Sequence, residues 1–215
     1  MNKIEILDGA MGSELILRGE KLLPYIWSAE TNLNNPDLLL DIHKQYIKSG
    51  ASYITTNTFR TTTRAYKKTG LSSNKASHIA QESMQSAIKI AKNVSNGFVK
   101  VFGSIAPLED CYSPQLFPGV DIAKKEFSII AQWLEDGAVD GYLLETMNNI
   151  PETKSCLEVV RESSLPVWVS FNLKELKSMI KKIRELEHIL KNKKEFSSKK
   201  ELKQKLWATK SIYTN

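Results

Sequence analysis

Short apolar runs alternate along the chain with longer stretches in which apolar residues recur every three or four positions, and the two periods predict strands and helices in turn. The runs IEILDG, ASYITTNTF, FVKVFGS, VDGYLLET and LPVWVSFN, starting near residues 3, 52, 98, 140 and 166, read as five buried strands. Between them lie four helical patterns. NPDLLLDIHKQYIKSG has Asn35 as N-cap, Pro36 at the first helical position and Gly50 as its stop. A second helix runs from Asn74 to about Val94, a third is capped by Asp121 and reaches Gly137, and NIPETKSCLEVVRESS carries its proline near the start. Strand and helix in strict alternation predict a parallel sheet with helical crossovers. The repeat lengths fit either a doubly wound sheet or an eightfold barrel.

The strand ends discriminate between the two. Each predicted strand stops at small polar residues: Asp8 and Gly9, Thr56 and Asn57, Gly103 and Ser104, Glu145 and Thr146, and then Asn172. A barrel gathers all such ends at one mouth, whereas an open sheet spreads them along an edge. The pattern favours an α/β fold, a partial (β/α)8 barrel of about five strands, although polar turns after strands also arise for purely local reasons. After Asn172 the pattern changes. Residues 174–215 contain no glycine or proline, and Leu173, Leu176, Ile180, Ile183 and Leu190 fall mostly three or four apart. This predicts a barrel domain over 1–173 and a basic amphipathic helical tail over 174–215, broken around EFSSKKE.

Charge sharpens that division. The chain carries +6, but residues 174–215 hold 13 Lys/Arg against 5 Asp/Glu, so the preceding 173 residues carry −2. The basic excess belongs to the tail, which has no nucleic-acid-binding motif and reads as a solvated lysine-rich face; nucleic acid is not an expected partner. No run of about 18 apolar residues predicts a membrane span. Glu5 and Asp8 interrupt the N-terminal apolar stretch, so no signal peptide is expected and the chain is placed in the cytoplasm. The two cysteines, Cys111 and Cys156, are too few for a disulfide framework.

The candidate chemistry lies at the strand ends. ILDGAMGSEL places an acid and two glycines after the first strand, but lacks the spacing of either glycine-rich phosphate loop. Asp8 can receive an ammonium or bond its own loop amides, and Gly9 permits close approach to the backbone. Glu145 ends an apolar strand, where a carboxylate is costly unless paired or facing a ligand; Arg60 and Arg64 are the alternative partners. TTNTFRTTTRAY, with Asn57, can recognise a small polar ligand, and its threonines equally suit a strand. His43 and His78 fall on helices and His188 in the tail, where surface or core roles are expected.

ILDGAMGSEL with Arg18 and Gly19, ITTNTF, FGSIAPLEDCY and LLETM, in this order, resemble the homocysteine S-methyltransferase family over about residues 3–172. The resemblance implies a barrel that binds homocysteine as substrate at its mouth and yields methionine by methyl transfer to the thiol. It implies substrate-binding roles for Asp8, Gly9, Asn57 and Glu145, the last holding the amino group. It also implies zinc held by three cysteine thiolates, from a Gly-x-Asn-Cys motif and a Cys-Cys pair. Neither motif occurs in the 215 residues. The expectation is therefore a truncated member without its zinc ligands and without catalytic residues of its own, impaired in transfer, its methyl donor unspecified. The alternative is a non-catalytic binding or interaction protein. An incomplete barrel would leave strand edges for the tail, a second copy or a partner chain to cover.

Overall fold

In the computed structural model, residues 4–172 are described; the expected tail, and with it the division at residue 173, lies outside the described residues. Four parallel strands form the sheet: β1 (Tyr53–Thr55), β2 (Lys100–Ile105), β3 (Gly141–Met147) and β4 (Val167–Phe171). The helices are α1 (Met11–Leu17), α2 (Thr31–Asn34), α3 (Pro36–Lys48), α4 (Thr63–Lys67), α5 (Ser73–Ser95), α6 (Val120–Asp136) and α7 (Ile150–Val160). The strand order is sequential, β1-β2-β3-β4. A doubly wound sheet reverses its order at a switch point, so unbroken succession is the barrel pattern.

The first predicted strand is reduced to an edge. Leu7 makes one parallel bridge to Tyr53. The Ser52 and Tyr53 amides donate to the Ile6 carbonyl at 2.7 and 3.1 Å, and the Asp8 amide donates to Tyr53 O at 2.9 Å. The segment lies where a fifth strand belongs, but the chain turns at once into α1. The glycines there serve close packing. A side chain at Gly12 would meet the Trp27 indole at 2.6 Å, and one at Gly9 would meet the Tyr46 ring at 2.8 Å.

Helix starts and stops follow local chemistry. Pro36 opens α3, which Gly50 ends with φ 103°, and Asn149 caps α7 by accepting the Glu152 amide at 2.9 Å. The expected cap at Asp121 is corrected: the cap is Gly119, two residues earlier, whose φ of 98° makes the turn, and Asp121 sits in the first turn, where its charge suits the helix dipole.

The alternation of the strands divides the sheet into two faces. Gly103 lies against Leu134 of α6, so the face of Val101, Gly103 and Ile105 meets the helices, with Phe127, Met84 and Ile88 in the main core. On the opposite face Tyr53, Phe102 and Trp168 stack, with centroid separations of 4.3 Å for Phe102–Trp168 and 4.7 Å for Tyr53–Trp168. Gly141 makes room for this stack, since a Cβ there would lie 2.6 Å from the Phe102 ring. Ser104 and Glu145 sit further along the same face. No helix among the described residues is long and apolar enough to cross a membrane. Gly141→Ala should destabilise the fold by about 1–3 kcal/mol through overpacking against Phe102, read as a lower urea midpoint at unchanged slope.

Candidate functional site

Asp8 stands at the end of the first segment, half-buried, and accepts from the Thr55 amide (2.8 Å) and the Thr55 hydroxyl (3.1 Å) of the adjacent strand. Its anchor is thus the neighbouring strand end, in addition to its own loop. Loss of water raises its carboxyl to about 7; the Thr55 bonds oppose that rise, and the Glu145 charge adds to it.

Glu145 reaches the mouth through a bulge. β3 and β4 pair Leu144 with Val169 and Met147 with Phe171, so two residues of β3, Glu145 and Thr146, oppose the single Ser170. Thr146 has φ 51°, a conformation a β-branched residue adopts only under constraint; its amide donates to Ser170 Oγ at 3.2 Å. The bulge carries Glu145 onto Ser104, whose hydroxyl donates to its carboxylate. Burial raises the Glu145 carboxyl above its usual range, and Ser104 partly offsets this. Neither arginine considered from the sequence pairs with it. Arg60 joins Asp110 at 3.1 Å, and Arg64 joins Glu126 at 2.6 Å and Glu109 at 3.0 Å. Among the described residues, no cation pairs with Asp8 or Glu145.

Asn57 lies behind the mouth. It accepts from the Ser28 hydroxyl at 2.5 Å and donates to Asn32 Oδ1 at 2.7 Å and Ser28 O at 2.9 Å, all buried. Thr58 donates to Ser104 O and Thr56 Oγ1 accepts the Ser104 amide, so this polar layer fixes the serine that meets Glu145. Gly9 is exposed beside Tyr46, whose hydroxyl donates to Ala10 O. The structure therefore brings together Asp8, Gly9 and Glu145 as mouth residues, and sets Asn57 as support. Thr55, Ser104 and Ser170 complete the mouth. Their signal in the sequence was only that each is a hydroxyl at or next to a strand end.

The cysteines and histidines stand apart from this pair. Cys156 is sealed in the core within α7, and burial drives its thiol well above the ordinary value. Cys111 is also buried, its thiol raised for the same reason, and its carbonyl accepts from Asn148 (2.7 Å) and Asn172 (3.4 Å). His43 packs on the buried face of α3, where burial lowers it to about 4 and keeps the ring neutral; His78 is exposed, and His188 lies outside the described residues. No group of three or more His, Cys, Asp and Glu among the described residues could hold a metal ion. Two cysteines, one closed off in the core, do not fit a tri-thiolate zinc centre.

Comparison with known proteins shows the family. A family model described as homocysteine S-methyltransferase matches residues 5–198, running past Asn172, where the recognised motifs end. Homocysteine S-methyltransferase of Escherichia coli (strain K12) is 28% identical over 186 residues, covering 80% of this chain and 59% of that protein. Homocysteine S-methyltransferase 1 of Arabidopsis thaliana is 24% identical over 186 residues, covering 77% and 57%. The crystal structure of the metallated homocysteine methyltransferase MmuM from Escherichia coli superposes with a TM-score of 0.71 at 23% identity, covering 81% of this chain and 65% of that one, a likeness of fold. The chain spans a little under three fifths of the length of these two curated relatives. With residues 5–198 of 215 matched by the family model, the chain belongs to the homocysteine S-methyltransferase family.

Proposed function

We propose that the mouth binds homocysteine, with Asp8 and Glu145 receiving its ammonium group and Gly9 giving the ligand access to the backbone. One observation carries this reading: two half-buried carboxylates share the mouth, where the Glu145 charge helps to raise Asp8, and among the described residues no cation pairs with either. A ligand ammonium supplies the missing charge. Ser104 and Thr55 hold the two carboxylates in place, and Asn57 braces the loop behind them. In complete family members the resemblance implies transfer of a methyl group to the homocysteine sulfur: the new S–CH3 bond forms as the donor's bond to that carbon breaks, the donor keeping the electron pair. The zinc that would present the thiol as a thiolate has no fitting ligand set here, so the reading for these 215 residues is substrate binding without turnover. Two buried free thiols suit a reducing, cytoplasmic setting.

Three outcomes follow from the charge balance and the cysteine inventory. Asp8→Asn and Glu145→Gln should each weaken homocysteine binding at least tenfold by calorimetry, and wild-type affinity should fall below about pH 7 as Asp8 takes up a proton. Wild-type affinity in both variants would remove the assignment.

The stability effect has the opposite sense. Because the folded carboxyl titrates near 7 against 3.8 for the free group, the folded state binds the extra proton between those values, and stability falls as pH rises through that window. Asp8→Asn should therefore melt at least about 3 °C above wild type at pH 8, an advantage that fades toward pH 4.

Purified in the presence of zinc, the chain should hold no stoichiometric metal and form no methionine from homocysteine with sulfonium or quaternary ammonium donors. Stoichiometric zinc with turnover would contradict the reading.

A further inference from the structure

The helix-facing side of the sheet is covered unevenly. On β2 and β3 the residues of that face, Val101, Ile105, Tyr142, Leu144 and Met147, are at most 1% exposed. On β4 the same face carries Val167, Val169 and Phe171, and only Val167 is buried. Val169 and Phe171 pack on the main core from one side and stay partly exposed on the other, as does Leu165 just before the strand. β4 is also the last strand of the order, so its far edge pairs with no strand among the described residues.

The chain that leaves β4 at Asn172 has the pattern to cover this strip. Crossovers between parallel strands keep one hand, and α5, α6 and α7 all pack on the helix-facing side. In the sequence that follows, Leu176, Ile180 and Ile183 fall on one helical stripe, flanked by Met179 and Leu186, while Lys174, Lys181 and Glu185 fall opposite. As a helix, residues 176–190 would rise about 22 Å. A five-residue strand such as β4 extends roughly 17 Å, so the stripe can run back along its whole length. The direct tether to β4 gives this stripe a high effective concentration over Val169 and Phe171, which a second copy lacks. The inner face offers less apolar surface, because Phe102 is 2% exposed in its stack with Tyr53 and Trp168. The family match also continues through this stretch, to residue 198.

We propose that residues 173–190 dock on the outer face of β4 as the helix that follows it, with Leu176, Ile180 and Ile183 meeting Val169 and Phe171 and the lysines facing water. This part of the basic tail then belongs to the fold and is not a free arm for nucleic acid or a membrane surface. The inference is independent of the role given to Asp8 and Glu145.

The test uses the full chain with Ile180 replaced by the photoreactive p-benzoylphenylalanine, and the same replacement at Lys181 as control. Irradiation followed by peptide mass spectrometry should give crosslinks from position 180 to residues 165–171 within one molecule, at least fivefold more than from position 181. In parallel, Ile180→Asp/Ile183→Asp should lower the hydrogen-exchange protection of the β4 amides at least tenfold, whereas Lys174→Asp/Lys181→Asp should leave it as in wild type. Crosslinks between two copies, crosslinks to Tyr53 or Phe102 of the inner face, equal yields from the two positions, or unchanged β4 protection in Ile180→Asp/Ile183→Asp would overturn the proposal.

Discussion

Two carboxylates share one poorly hydrated mouth, and hydroxyls and an amide of the neighbouring strands hold them there. Desolvation alone would favour protonation of both. Asp8 keeps its place because two donors from Thr55 fix its oxygens, and Glu145 because the Ser104 hydroxyl meets it. Such an arrangement costs stability, as a charge without a counter-charge does. On the proposed reading, the return is a site that gains on the arrival of a ligand ammonium.

The sheet makes this possible by bringing residues 8, 55, 104, 145 and 170 to one end. Sequential parallel pairing places each strand end beside the next, and hydroxyls at those ends bond across the strands. Among the described residues, the bulge at Glu145 and Thr146 is the one break in the register of the sheet. It leaves Thr146 in a left-handed conformation while its amide meets Ser170, a strained backbone next to the acid that the proposed chemistry uses. Behind this layer, the aromatic stack of Tyr53, Phe102 and Trp168 fills the inner face, and Gly141 leaves it the space.

Much of this was legible in the sequence, for identifiable reasons. Helices α3, α5 and α7 follow their apolar period, with Pro36 and Pro151 near the starts of α3 and α7, and β2, β3 and β4 fall within the predicted, largely apolar runs. Glu145 stood out because a carboxylate closing an apolar run is expensive, and Asp8 because it precedes Gly9 at a strand end. The first segment was harder to read, because IEILDG has the composition of a strand but its pairing is confined to one edge before α1 begins. The short helices α1, α2 and α4 carry too few turns to show a period. The tie between Ser104 and Glu145 depends on register between strands 41 residues apart, which no local pattern encodes. The same is true of the buried partners of Asn57, Ser28 and Asn32, which turn a residue that reads as ligand-facing into part of the support.

The cysteines give the account its other boundary. Cys111 and Cys156 are both buried, with thiols raised rather than lowered, so neither has the thiolate character of a metal ligand or nucleophile. The proposed chemistry is recognition of a cationic group by the paired acids Asp8 and Glu145. Its most direct measurement is the titration of the Asp8 carboxyl itself, followed by carbon NMR with selectively labelled aspartate and Asp8→Asn for assignment. The account predicts a midpoint near 7 in the free protein, moving about 1 to 3 pH units lower with saturating homocysteine as the ammonium joins the pair. A midpoint near 4 in the free protein, or one that homocysteine leaves in place, would contradict it.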